Sequence, residues 1–243
     1  MDPIINSFGN LGNIDLATIF KFNDLTRDIQ KHLARVYTAL ILCLFSACLG
    51  VIFNIYTGFG GMLGVFGAIG MLYWLQVDRQ KTAWMRRMCI LCGFGFLKGT
   101  SLGHIIRMVA WYDPSIIVTA LLGTIAVFSC FSMAALVAKR RSYLFLGGIL
   151  SSATTLLLVL GLANMFMGSI KVYMFQLYVG LMAFSGFVIF DTQMIIEKAH
   201  HGSRDFAGHA SELFVDFVAI FIRLLLILMR QAEKKDDRRK KRY

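Results

Sequence analysis

The sequence predicts an all-α polytopic membrane protein with about seven transmembrane helices. Three observations carry that expectation. Of 243 residues, 57% are hydrophobic and only 16% are charged, where a soluble domain carries about 25% charged residues; mean hydropathy is +0.66. The apolar residues are gathered into runs close to the roughly 20 residues that cross a bilayer. Those runs lack the ten-residue alternation of barrel strands, and lipid leaves the backbone no other partner than its own helix.

Seven runs follow in order: 36–56, 58–77, 88–111, 116–138, 143–166, 172–196 and 213–229. They divide the chain into an N-terminal segment (1–35), a membrane domain (36–230) and a basic tail (231–243). Residues 1–35 are polar and mixed in charge, so no cleavable signal peptide is expected and the first run serves as its own anchor. Within that segment Leu25, Ile29, Leu33 and Val36 share one helical face.

The net charge of +11 is read as membrane topology, because no soluble surface is present to carry a nucleic-acid footprint. Lys21, Arg27, Lys31 and Arg35 precede the first run. Arg79, Lys81, Arg86 and Arg87 follow the second, Lys139, Arg140 and Arg141 the fourth, and Lys198 and Arg204 the sixth, whereas the intervening loops carry only Lys171. The positive-inside rule then places the N-terminus in the cytoplasm. The tail breaks the alternation. After a seventh crossing it should carry few cations, yet it holds Lys234, Lys235, Arg238, Arg239, Lys240, Lys241 and Arg242. Either the seventh segment spans against the charge rule, or it enters and returns. Because it is short and contains Asp216 and Arg223, a re-entrant or polar-lined central helix suits it.

Small residues mark close helix contacts: Gly58, Gly61, Gly64, Gly67 and Gly70 in the second run, and Gly95, Gly99 and Gly103 in the third. The five cysteines all lie in apolar runs; Cys89 and Cys92 form a CxxC with no second ligand pair nearby, so neither a disulfide framework nor a metal site is expected.

Charged residues at depth are the candidate site, since each costs at least about 2.5 kcal/mol to insert. Asp191 lies near the end of the sixth run and Asp216 inside the seventh. In antiparallel neighbours they reach similar depth. Two carboxylates packed together do not both ionise freely and titrate in coupled steps, which makes a proton switch. As hard oxygen ligands they also suit transient Ca²⁺, though two are too few for tight binding. Lys98, in the middle of the third run, needs an anionic partner or water, and Asp191 and Asp216 are the candidates; Arg223 stands two turns from Asp216 on the same face. An intramembrane aspartyl protease would need a Gly-x-Gly-Asp setting that Val215-Asp216 lacks, so no enzyme is expected.

The stretches 140–150, 177–180, 186–199 (with Phe190-Asp191-Thr192-Gln193) and 213–217, together with the basic tail, resemble the Bax inhibitor-1 family of transmembrane Bax-inhibitor-motif proteins. The resemblance implies a seven-helix fold with the last helix central, residence in the endoplasmic reticulum membrane, suppression of cell death and a pH-dependent Ca²⁺ leak. It assigns a di-aspartyl pH sensor to Asp191 and Asp216. It also implies an arginine latch near the start of the third segment, for which Arg86 and Arg87 are the candidates, and a small neutral residue where Lys98 stands. The expected partners are the bilayer, Ca²⁺ and protons, with no resident cofactor. The alternative is a membrane scaffold that binds death-regulating membrane proteins through its basic tail, without conducting ions. The oligomeric state is left open.

Overall fold

The computed structural model describes residues 26–78, 84–138 and 143–240, without the side chains of 237–240. Among the described residues the chain forms seven helices and no strand: α1 Arg27–Thr57, α2 Met62–Val77, α3 Trp84–Tyr112, α4 Ser115–Val137, α5 Leu146–Met167, α6 Ile170–His200 and α7 Phe206–Lys240. Five of them (α1, α3, α4, α5 and α6) are long and apolar enough to cross a membrane, and α2 is a shorter apolar helix. Glu212, Asp216, Arg223 and Arg230 interrupt the apolar run of α7. The fold is that of a polytopic all-α membrane protein, as expected.

Each apolar run coincides with a helix to within a few residues at its ends, with two instructive differences. The second helix starts at Met62 rather than at residue 58. Gly58 adopts φ 68° and gives its N–H to the Asn54 carbonyl, and Gly60 and Gly61 also have positive φ. These glycines form the turn that ends α1, a conformation that other residues adopt only with strain. The seventh run is the middle of one unbroken 35-residue helix, about 52 Å long at 1.5 Å per residue. The re-entrant alternative therefore falls: no glycine or proline lies between residues 209 and 240 to turn the chain. At the start of α1, Ile29, Leu33 and Val36 are buried in the bundle. The amphipathic stretch is thus a continuation of the first helix, with Leu25 outside the described residues.

Helix α7 is central and touches α1, α2, α3, α4 and α6. Its aromatic face meets Phe94 through Phe214 (ring centroids 5.3 Å apart) and Phe128 through Phe217 (5.5 Å), both edge-on. Helices α1 and α3 pack backbone to backbone: a Cβ on Gly99 would overlap the Ala47 carbonyl, and one on Gly95 would stand 2.6 Å from the Cys43 oxygen. Gly64 likewise faces Thr100, whereas Gly70 faces open space. Large apolar side chains such as Phe45, Phe66, Leu158 and Phe166 remain exposed around the bundle, a lipid-facing surface in a chain of this kind. All five cysteines are free thiols, with Cys43 buried.

The starts of α1, α3 and α7 share one end. His32 hydrogen-bonds His209 (3.0 Å) and Trp84 stacks on Phe206 (4.3 Å). At the other end the Tyr112 hydroxyl donates to Asp236 (2.6 Å), which sets the last turns of α7 beside the α3–α4 turn. In that turn Asp113 accepts from the Ser115 backbone N–H (2.9 Å), and the Ser115 hydrogen bonds hold its carboxyl below the usual range. The exposed Lys234 and Lys235 therefore lie at the end opposite the start of α1. Arg238, Arg239 and Lys240 continue the helix; Lys21, Arg79, Lys81, residues 139–141, Lys241 and Arg242 lie outside the described residues.

Candidate functional site: a carboxyl pair between the last two helices

Asp191 sits in the third turn from the end that α6 shares with the start of α7, and Asp216 lies three turns into α7. The helices run antiparallel, and their pairing brings the two carboxyl groups to the wall of one cavity, within electrostatic reach of each other. Two carboxyl groups this close repel each other when both are ionised, a repulsion that one proton held between them would relieve. Asp216 is buried, and its Oδ2 has no hydrogen-bond partner. Both carboxyl groups line a cavity of about 340 Å³ whose apolar walls include Leu72, Phe184, Phe187 and Val215 and whose polar groups include Gln76, Thr154, Ser211 and Glu212. The two aspartates singled out by depth are thus brought together.

Two further charges belong to the site and were not singled out from the sequence. Glu212, one turn before Asp216, accepts from Lys198 Nζ at 3.0 and 3.4 Å, and Lys198 acts electrostatically on Asp191. The signal was present as same-face spacing, Glu212–Asp216 four apart and Asp191–Lys198 seven apart. Their reach across the helix pair was not.

The basic candidates go elsewhere. Arg87 is fully buried. It pairs with Asp205 Oδ1 (2.5 Å) and approaches Asp78 Oδ2 (3.9 Å), and its Nη1 donates to the carbonyls of Leu75 (3.2 Å) and Asp78 (3.4 Å). Arg86 pairs with Asp78 (3.3 Å). Arg87 thus joins the end of α2, the start of α3 and the start of α7, rather than holding the carboxyl pair. Asp205 also caps α7 by accepting from the Gly208 N–H (2.9 Å). Asp78 and Asp205 were not legible as site residues because both lie in short interhelical segments that look like ordinary solvated loops. The buried His32–His209 pair beside them is a second tie between α1 and α7. Lys98 and Arg223 line a separate, adjoining cavity.

Among the described residues no group of three or more His, Cys, Asp or Glu side chains is placed to hold a metal ion. The pair offers two carboxyl groups where Ca²⁺ takes six to eight oxygens, a donor set suited to passing contact with a cation rather than to storage.

Comparison with known proteins places this arrangement in context. The family described as "Inhibitor of apoptosis-promoting Bax1" matches residues 29–233. The chain is 42% identical over 230 residues to "Bax inhibitor 1" of Homo sapiens, covering 93% of this chain and 97% of that protein. It is 42% identical over 231 residues to "Probable Bax inhibitor 1" of Paralichthys olivaceus (93% and 98% covered) and 40% identical over 225 residues to "Bax inhibitor 1" of Oryza sativa (91% and 89% covered). The match takes in the whole of α2 to α6 and most of α1 and α7, and the chain belongs to the Bax inhibitor family.

Proposed function

We propose that this protein is a multi-pass membrane protein of the endoplasmic reticulum, N-terminus in the cytoplasm, that suppresses cell death and passes Ca²⁺ in a pH-sensitive manner. Its sensor is the Asp191–Asp216 pair. The observation that carries the reading is the meeting of these two side chains at the wall of the 340 Å³ cavity. With one proton between them, the pair ties α6 to α7 through a charge-assisted bond, stronger than one between neutral groups. Lys198–Glu212 supplies a parallel tie, half exposed and worth about 0.2–1 kcal/mol.

Acidification adds protons to this cluster. The charge-assisted bond becomes a neutral one, and the population shifts toward a form in which α6 and α7 separate. The Arg87–Asp205–Asp78 cluster holds the start of α7 in the closed form. Calcium then meets the carboxyl groups transiently. The test is Ca²⁺ efflux from liposomes containing the purified protein, scanned from pH 8 to pH 5. Flux should rise as pH falls, and Asp191→Asn and Asp216→Asn should each flatten that rise. No efflux from folded protein would refute intrinsic conduction.

The second reading is a scaffold that regulates cell death by protein contacts. It is favoured by the exposed Lys234 and Lys235 on the last turns of α7, since each basic residue at an anionic surface contributes about 1 kcal/mol. Deleting residues 231–243 should then abolish protection while leaving any flux intact.

A further inference from the structure

Lys98 and Arg223 line one cavity of about 330 Å³ between α2, α3, α6 and α7, otherwise walled by apolar side chains including Phe94, Phe184 and Ala68. No acidic residue lines it, and among the described residues no ion pair engages either cation. Lys98 lies fourteen residues into α3, about 21 Å along its axis, and Arg223 seventeen residues into α7, about 26 Å. Both helices start at the same end, so two like charges stand at similar depth inside the bundle.

Cations at such depth pair with an anion or reach water. Arg223 is held in place. Its guanidinium carbon stands 4.1 Å above the Phe184 ring, its Nη1 donates to the Ala219 carbonyl (2.9 Å), and a Cβ on Gly180 would overlap it. One turn of α6, bare at Gly180 and aromatic at Phe184, therefore cradles the guanidinium beside the cavity. At the lipid side the cavity is bordered by Val65 and Ile69, which are 40% and 58% exposed. The site is basic at its centre, apolar on its walls and open toward the bilayer.

We propose that this cavity binds an anionic membrane lipid, its phosphate seated between Lys98 and Arg223 and an acyl chain lying along the apolar wall past Ile69. Its volume is in the range of small-molecule pockets, and charge complementarity selects an anion. The proposal is independent of the calcium reading, because it needs neither Asp191 nor Asp216.

The test is native mass spectrometry of the full-length protein in neutral detergent, with dioleoyl phosphatidate and dioleoyl phosphatidylcholine compared at equal concentration. Phosphatidate should bind about tenfold more tightly than phosphatidylcholine. The preference should vanish in the Lys98→Gln, Arg223→Gln double variant and survive in Lys98→Arg. Because Arg223 is built into the helix packing, a second variant guards against misfolding: Ile69→Trp at the mouth should weaken phosphatidate binding with both charges intact. Equal binding of the two lipids, or undiminished phosphatidate binding in the double variant and in Ile69→Trp, overturns the proposal. Full displacement of phosphatidate by millimolar inorganic phosphate would assign the site to a free anion and overturn the lipid.

Discussion

At the scale of single residues, the polar groups of this bundle divide into the proposed proton sensor, Asp191 with Asp216, and the Arg87 cluster that fastens the start of α7 to α2 and α3. In the proposed function the Asp191–Asp216 pair acts through one shared proton, and removing either carboxyl group removes the coupled titration. Asp216→Asn should therefore leave the protein folded, because an amide can still donate to Asp191, while the pH profile of Ca²⁺ efflux becomes flat. A retained profile in that variant would exclude the sensor role. Arg87 is the opposite case. It is fully buried against Asp205 and Asp78, and losing one partner of a buried pair strands the other charge at a cost of about 3–5 kcal/mol. Arg87→Gln should lower thermal stability by that order, and raise efflux at neutral pH if the cluster holds α7 closed. Stability equal to wild type would show that Arg87 is not the holding tie.

At the scale of elements, the α1–α3 contact rests on missing side chains. Gly99 faces the Ala47 carbonyl so closely that any Cβ must push the helices apart. Overpacking of this kind costs about 1–3 kcal/mol. Gly99→Leu should lower the unfolding temperature in detergent, whereas Gly70→Leu, which points into open space, should leave it unchanged. Equal effects at the two positions would contradict this packing. The glycines in the third run were legible as a packing stripe from their four-residue spacing. Those in the second run shared one apparent period but split into two uses: Gly58 and Gly61 turn the chain, and Gly64 and Gly67 receive α3. Spacing alone does not distinguish a glycine needed for its backbone angle from one needed for its bare surface.

At the scale of the whole molecule, seven helices with α7 unbroken put the two ends of the described chain on opposite faces of the bundle. His32 meets His209 at one end, and Tyr112 meets Asp236 at the other. Lys234 and Lys235 consequently lie away from Arg27, Lys31 and Arg35, against the charge rule that orients the rest. With cysteines introduced at the exposed Asp28 and Lys235 and a membrane-impermeant thiol reagent, the two positions should label from opposite sides of sealed vesicles. Labelling from one side would mean that α7 does not complete its crossing.

The sequence by itself determined the fold class and the seven helices of the described residues, and it singled out Asp191 and Asp216 by their depth. Lipid enforces these through strong local costs: an unpaired backbone and a buried charge are each expensive wherever they occur, so hydropathy and a lone Asp are readable without neighbours. Tertiary structure alone decided which charges meet. Arg87 found Asp205 rather than Asp216, Lys198 found Glu212, and Lys98 was left facing Arg223 across an apolar cavity. Those pairings depend on helix rotation and axial register. The side-chain packing of α7 against five other helices sets both, and no period along a single segment encodes either.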